Sequence, residues 1–302
     1  MKTALITGSS GFIGKHLARN LKSDNYYVIG VDKIMSNENI CDKEIVADIS
    51  KQNQLALEII EEVDELYHLA GIANVRYCED HPTEAVNSMV IGSYNILQKC
   101  QQYRVSAVIA STGLVYKPIM DRFSNKHVAV EPSNLYTLSK YMSENIASLF
   151  RNNGLKVAVA RLFNIYGPGQ DKAVTYNVAI VPTTIQKIKD DITIQLFSNM
   201  YAKRDMLYID DCVRALRTIM LATVQETSTH FIYDVGSGTA SFITRIAELL
   251  VEASKKDVSI VASNGGDSSI YIADISYLRD IGYHSSLSMG LAEGLKSTYE
   301  RS

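Results

Sequence analysis

The chain has 302 residues, 46% hydrophobic and 21% charged, with a formal net charge of −3. This is an ordinary globular composition with room for one large domain or two modest ones. It has no dense Lys/Arg run to mark a nucleic-acid or anionic-membrane surface, so neither is expected as a partner. No apolar run reaches the roughly 18 residues of a membrane span, and "MKTALITGSSGFIG" meets Gly and Ser too soon for a secretory signal, so a cytoplasmic protein is expected. Cys41, Cys78, Cys100 and Cys212 are widely spaced without a CxxC and read as reduced thiols. The scattered histidines offer no paired ligand spacing, so no metal site is expected.

The first predicted strand, "TALIT", runs into "GSSGFIG" and then a helix striped by Ile13, Leu17 and Leu21. Gly8, Gly11 and Gly14 thus fall where backbone amides at a helix N-terminus can face a pyrophosphate. The spacing is GxxGxxG rather than GxGxxG, and a plain tight turn is the alternative. The second strand, "YYVIGVD", closes on Asp32, 24 residues after Gly8, where an acid can accept from an adenosine ribose. Together these point to a dinucleotide. A carboxylate there repels a 2′-phosphate, which favours NAD over NADP. "EIVAD" is the third strand, and its Asp48 either faces the adenine or caps a helix.

"DELYHLAG", "SAVIAST" and "KVAVARLF" continue the alternation of strands with amphipathic segments, the signature of a doubly wound parallel sheet of Rossmann type. Past Arg161 the alternation breaks: "NIYGPGQ" opens an irregular stretch containing Pro168 and Pro182. "HFIYDVGSG" and "FITRIAELLVEA" read as a return to the sheet. The expected organisation is a nucleotide domain of residues 1–161 and 232–256, with a smaller discontinuous substrate lobe of residues 162–231 and 257–302.

"PSNLYTLSKY" places Tyr136 and Lys140 four apart, a pairing that chance alone would produce about once in such a chain. Pro132 suits the start of a helix. On that helix Tyr136, Lys140 and Ser143 share one face, while Leu135, Leu138, Met142, Ile146 and Leu149 crowd the opposite one. The pair therefore lies off the main apolar stripe, either as a solvated pair or as a reactive one.

The motifs, in order, resemble those of the extended short-chain dehydrogenase/reductase family, in particular its nucleotide-sugar epimerases and dehydratases, such as the UDP-glucose 4-epimerase-like proteins. "TGSSGFIG" resembles TGxxGxxG, "HLAG" the strand-four motif, "STGLVY" the segment after strand five, and "YTLSK" the YxxxK pair. "RLFNIYGPGQ", "RDMLYIDD" and "YDVGSG" resemble the family's later loops. The resemblance implies Thr112, Tyr136 and Lys140 as the catalytic set. It implies NAD held by Gly8, Gly11, Phe12, Ile13, Gly14, Asp32, Lys33, Asp48, Ile49, Leu69, Ala70, Gly71, Tyr136, Lys140 and Phe163. Thr112, Tyr136, Asn164 and Arg204 are expected to meet the substrate, with Asn164 and Arg204 at its diphosphate end.

A phenol with a pKa of about 10 is a poor base, so the lysine ammonium and the positive nicotinamide ring are expected to favour the phenolate. Bringing the pKa to about 7 requires roughly 4 kcal/mol. Thr112 would hydrogen-bond the reacting oxygen. By analogy with the family, the dehydratases carry acids directly after the threonine and the decarboxylases carry a Glu, whereas Gly113 and Leu114 here can move no proton. The expectation is therefore an NAD-dependent nucleotide-sugar 4-epimerase. The alternatives are a 4-keto-sugar reductase using NAD(P)H and a non-catalytic NAD(P)-sensing protein.

The substrate anchors depart from the family pattern. "FSNMYAKRD" lacks the usual glycines, Asn264 stands where a second arginine is usual, and Met89 stands where an Asn is common three before Gly92, which leaves Asn87 without that role. Arg76 resembles a residue of sugar-acid epimerases. Val86, Met89, Ser93, Leu97 and Cys100 form a second stripe, read as a homodimer seam.

Overall fold

The computed structural model describes residues 1–36, 38–51, 55–117, 129–170, 179–198, 202–267 and 269–302. Its central sheet is built from β1 (Thr3–Thr7), β2 (Tyr27–Asp32), β3 (Lys43–Val46), β4 (Glu65–His68), β5 (Ser106–Thr112) and β6 (Val157–Leu162). Three short strands follow, β7 (Asn164–Tyr166), β8 (Ile194–Ser198) and β9 (Lys203–Tyr208). The seventh sheet strand, β10 (Ile232–Val235), precedes β11 (Ala240–Phe242), β12 (Ile260–Asp267) and β13 (Ile270–Tyr271).

The sheet order is β10-β6-β5-β4-β1-β2-β3, with every pairing parallel. The order reverses between β1 and β4, the switch point at which an open α/β sheet leaves a crevice beyond its strand ends. Side-chain alternation fills both faces. Ala4, Ile6, Ala158 and Ala160 join one core, and Leu5, Val157 and Val159 the other.

Among the described residues, the smaller lobe's apolar side chains form no separate core. Val181, Ile185, Ile246, Leu250, Leu278 and Leu295 merge with the first of these two cores. The helix Ile209–Gln225 packs on β5, β6 and the helix Phe12–Ser23, whereas the helix Ile243–Ser254 packs on lobe helices and on β8 and β12. The expected division assigned these two helices the other way round. We propose moving the first to the nucleotide domain and the second to the lobe. Alternation alone could not show which surface an amphipathic helix covers.

The helix Leu135–Asn152 starts with a capping box in which the Asn134 side chain accepts from the Thr137 amide at 3.0 Å. Its orientation corrects the sequence expectation. Tyr136, Lys140, Ser143 and Glu144 face inward, and it is Leu138, Met142 and Leu149 that lie outside, at 45%, 45% and 58% exposure. The buried face is polar because its partners are polar. Ser143 donates to the Met89 carbonyl (2.7 Å), Ser111 donates to Glu144, and Arg161 donates to both Glu144 oxygens at 2.9 and 2.6 Å.

The expected dimer stripe also faces inward. Met89, Ser93, Leu97 and Cys100 are buried within the chain, and Ile91 and Tyr94 are the apolar residues left outside. A π-turn at Asn87–Ile91 interrupts the helical ladder, and the Met89 carbonyl accepts from the Ser93 and Ser143 hydroxyls.

Arg161→Met would leave the Glu144 carboxylate buried without its partner. We expect a loss of about 3–5 kcal/mol in urea unfolding; a loss below about 1 kcal/mol would remove this ion pair from any role in holding the helix.

Candidate active site

The crevice at the switch point is a cleft of about 630 Å³. Its inner end is built by the glycine turn. Gly8 takes φ +74°, and a Cβ there would stand 2.7 Å from the Ala70 amide nitrogen, so only glycine lets β1 end this close to the β4 loop. A Cβ on Gly14 would fall 2.2 Å from the Gly8 carbonyl oxygen, so the helix start can press onto the turn only when that residue is also bare. The Asp32 carboxylate accepts from the Ser10 amide (3.0 Å) and the Ile34 amide (3.3 Å), which ties the end of β2 to the mouth of the turn.

His68 braces this end from below. The Ser93 hydroxyl gives its proton to Met89, so His68 Nε2 donates to Ser93 Oγ and its Nδ1 accepts from the Thr7 hydroxyl at 2.7 Å. Burial lowers the His68 pKa to about 3, so the ring is a neutral strut between β1, β4 and the Gly92–Tyr103 helix.

Thr112, Tyr136 and Lys140 meet in the middle of the cleft. Thr112 Oγ1 accepts from the Leu114 amide (3.2 Å), and Thr112 and Tyr136 line the cleft together. Lys140 Nζ donates to the Ala110 carbonyl at 2.9 Å. Burial raises the Tyr136 pKa, against the lowering influence of the nearby Thr112 hydroxyl, and brings Lys140 down to about 8. The Lys140 ammonium is turned to a backbone carbonyl, and burial is the largest influence on Tyr136 in this structure.

At the outer end, Arg204 donates to the Ser269 carbonyl (2.8 Å) and lies over the Tyr271 ring, 5.2 Å from its centroid. Asn164 Nδ2 donates to the Asp205 carbonyl (3.2 Å). Lys140 and Arg204 are the only charged side chains among the described lining residues, and no carboxylate is among them. A cleft with that charge balance suits an anionic ligand.

Several expected residues take other places. Phe12, Ile13, Leu69, Gly71 and Phe163 line the cleft. Lys33 and Asp48 instead line a neighbouring groove of about 610 Å³, where Lys33 approaches Asp48 (3.5 Å) and Glu84 (3.8 Å). Ile49 is buried, its side chain against Gly92 and its carbonyl accepting from Asn95 Nδ2 (2.9 Å), so its side chain is no ligand surface. The Ala70 amide donates to the Thr7 hydroxyl (3.3 Å). Asn87 is exposed in the neighbouring groove, Met89 is buried, and Arg76 is exposed away from the cleft lining. The Asn264 side chain and residues 199–201 lie outside the described residues.

Sequence reasoning missed Tyr271, Val75, Leu114 and Gln170 in the lining. They come from separate segments with no motif in common: Tyr271 ends β13, Val75 starts a helix and Leu114 lies in the turn after β5. It also missed Asp205, which follows Lys203 and Arg204 and precedes the apolar run Met206–Leu207–Tyr208 of β9. Its buried carboxylate accepts from Ser237 N (2.7 Å), Gly238 N (2.9 Å) and Ala273 N (3.1 Å), and so holds the strand that carries Arg204.

With the geometry established, a profile of the NAD dependent epimerase/dehydratase family matches residues 4–236. The chain belongs to that family. This epimerase/dehydratase is 26% identical over 314 residues to an uncharacterized UDP-glucose epimerase, YtcB, of Bacillus subtilis, covering 96% of this chain and 95% of the relative. It is 30% identical over 233 residues to the protein CapI of Staphylococcus aureus, covering 72% of this chain and 68% of the relative. Its fold superposes on a UDP-glucose 4-epimerase of Thermotoga maritima, solved with UDP-glucose, at a TM-score of 0.84 and 25% identity, covering 99% and 98% of the two chains. NAD is the cofactor of the family, and the bare glycine turn with Asp32 at its mouth fits a dinucleotide.

Because burial depresses Lys140, its ammonium is present below about pH 8 and is lost as pH rises through that value. NAD affinity, measured by calorimetry on the stripped epimerase/dehydratase, should therefore weaken at least about threefold from pH 7 to pH 9, as a charge-assisted hydrogen bond is lost. Lys140→Met should bind NAD more weakly and without that pH dependence. A pH-independent affinity in the parent would remove Lys140 from the cofactor site.

Proposed function

We propose that the protein is an NAD-dependent nucleotide-sugar epimerase acting at C4 through a transient 4-keto sugar. The observation that carries this reading is the cleft itself: one hydroxyl pair, Thr112 with Tyr136, backed by Lys140, and an arginine stacked on an aromatic ring at the outer end. Bound NAD supplies the acceptor and donor of a hydride. The Gly8–Gly14 turn, Asp32 and Lys140 are the residues we place around it.

Tyr136, as phenolate, takes the C4 hydroxyl proton with Thr112 holding the same oxygen, and gives it back after the sugar has presented its other face. Arg204 and Asn164 hold the diphosphate, so the sugar can turn while its tether stays fixed. Only one oxygen needs a proton partner in this cycle, and one such partner is present. The reading also places the protein in the cytoplasm. Among the described residues, no helix is long and apolar enough to cross a membrane.

We place a second copy of the chain on the exposed stripe of two adjacent helices. Ile91 and Tyr94 on one, and Leu138, Met142 and Leu149 on the other, follow matching spacings of three, four and seven residues. Two such pairs related by a twofold axis would close as a four-helix seam.

Purified protein should interconvert C4 epimers of a nucleotide sugar without added reductant. Tyr136→Phe should lower turnover at least about a hundredfold, within the range for a positioned acid–base group, while NAD affinity stays within about twofold. A variant of full activity would sink the assignment, and strict dependence on external NADPH would point to a reductase. For the seam, light scattering should give twice the chain mass, falling to a single chain mass in Leu138→Glu/Met142→Glu. A parent that is monomeric at micromolar concentration would refute the dimer.

A further inference from the structure

We infer that His16 is a positioning residue that couples the cofactor turn to the substrate side of the cleft, by holding the loop of residues 167–170 against the helix Phe12–Ser23. The inference rests on the epimerase reading and deepens it. His16 lies one helical turn after Phe12, and its ring meets the Phe12 ring edge-on, with centroids 5.5 Å apart.

The mostly buried imidazole reaches across the fold. Its Nε2 stands 3.0 Å from the Pro168 carbonyl, 152 residues further along the chain. A carbonyl oxygen can only accept, so Nε2 carries the proton and donates. Nδ1 faces the Asp210 carboxylate at 3.7 Å, in the first turn of the helix Ile209–Gln225. Gly167 is seated on the residue before it: a Cβ on Gly167 would fall 2.4 Å from Cγ2 of Ile209. Two helices thus meet the loop at one junction, and His16 supplies the hydrogen bond that joins it to the first of them.

The loop needs such a fastening. Gly167 and Gly169 flank Pro168, and glycine gives up more conformational freedom on ordering than any other residue. The loop also has a task in the cleft. It continues β7, whose Asn164 lines the cleft, and it carries Gln170, another lining residue, whose Nε2 donates to the Ile165 carbonyl at 3.1 Å. Phe12 lines the same cleft beside the glycine turn. One imidazole therefore connects a helix that starts at the cofactor end with a loop that borders the substrate end. A dinucleotide seated on the turn fixes the start of the helix, and His16 passes that constraint to Asn164 and Gln170. Binding of either ligand then favours the other, and the coupling is reciprocal.

Uridine diphosphate titrated calorimetrically into the protein, with and without saturating NAD, tests the coupling. NAD should tighten its binding at least about threefold in the parent and less than about 1.5-fold in His16→Leu, which leaves the Pro168 carbonyl without its donor. In turnover, His16→Leu should raise the nucleotide-sugar KM at least about fivefold with kcat within about threefold, and His16→Gln, which keeps an N–H donor, should return KM to within about twofold of the parent. A parent whose uridine diphosphate affinity ignores NAD would overturn the inference. So would parent-like coupling in His16→Leu, or a His16→Gln no better than His16→Leu. The calorimetry needs no turnover: His16-dependent coupling in a protein that epimerises nothing would count against the epimerase reading alone.

Discussion

Glu144 is sealed beneath the Leu135–Asn152 helix, where it accepts two guanidinium hydrogen bonds from Arg161 and one from Ser111. The placement of the reactive face follows from this knot. Glu144 sits one turn past Lys140, Ser111 precedes Thr112, and Arg161 lies one residue before the end of β6, so the three define how the helix lies across β5 and β6. Two charges taken out of water carry a heavy desolvation cost, offset only when geometry and hydrogen bonding are complete. Here both carboxylate oxygens are engaged. The return is orientation rather than net stability.

From the same knot a polar chain runs outward to the lobe. Arg161 lies over the Tyr116 ring, 4.7 Å from its centroid; Tyr116 donates to Asp234 (2.9 Å); and Asp234 accepts from the Asp274 amide (3.2 Å). Burial raises Asp234 to about 6. One residue earlier, the Ala273 amide is held by the buried Asp205. Two successive amides are thus held by two carboxylates, one from β9 and one from β10. This fastening joins the arginine-bearing strand to the sheet that carries Thr112, and a merged apolar core reinforces it.

The site's chemistry depends on desolvation acting in opposite directions on two neighbours. Burial makes Tyr136 a weaker acid and Lys140 a weaker base, so in this structure both are driven toward neutrality. A ligand that supplies positive charge beside the phenol or an acceptor beside the ammonium would work against this drift. No carboxylate stands among the described lining residues, which leaves that adjustment to the ligand.

Amino-acid order alone settled the parts whose physics is local. The glycine turn, the alternating strands, the acid closing β2 and the Tyr136–Lys140 spacing all follow from backbone sterics and periodicity. These features place the switch point and the reactive helix face. Packing decided everything that depends on what lies opposite a residue. The Leu138–Met142–Leu149 stripe turned outward because the groove under the helix offers a guanidinium, a hydroxyl and backbone carbonyls, which only polar side chains can meet. Tyr271 under Arg204, and Phe163 over Gly113, join segments far apart in the chain, and a pattern read along one strand carries no information about the distance between them.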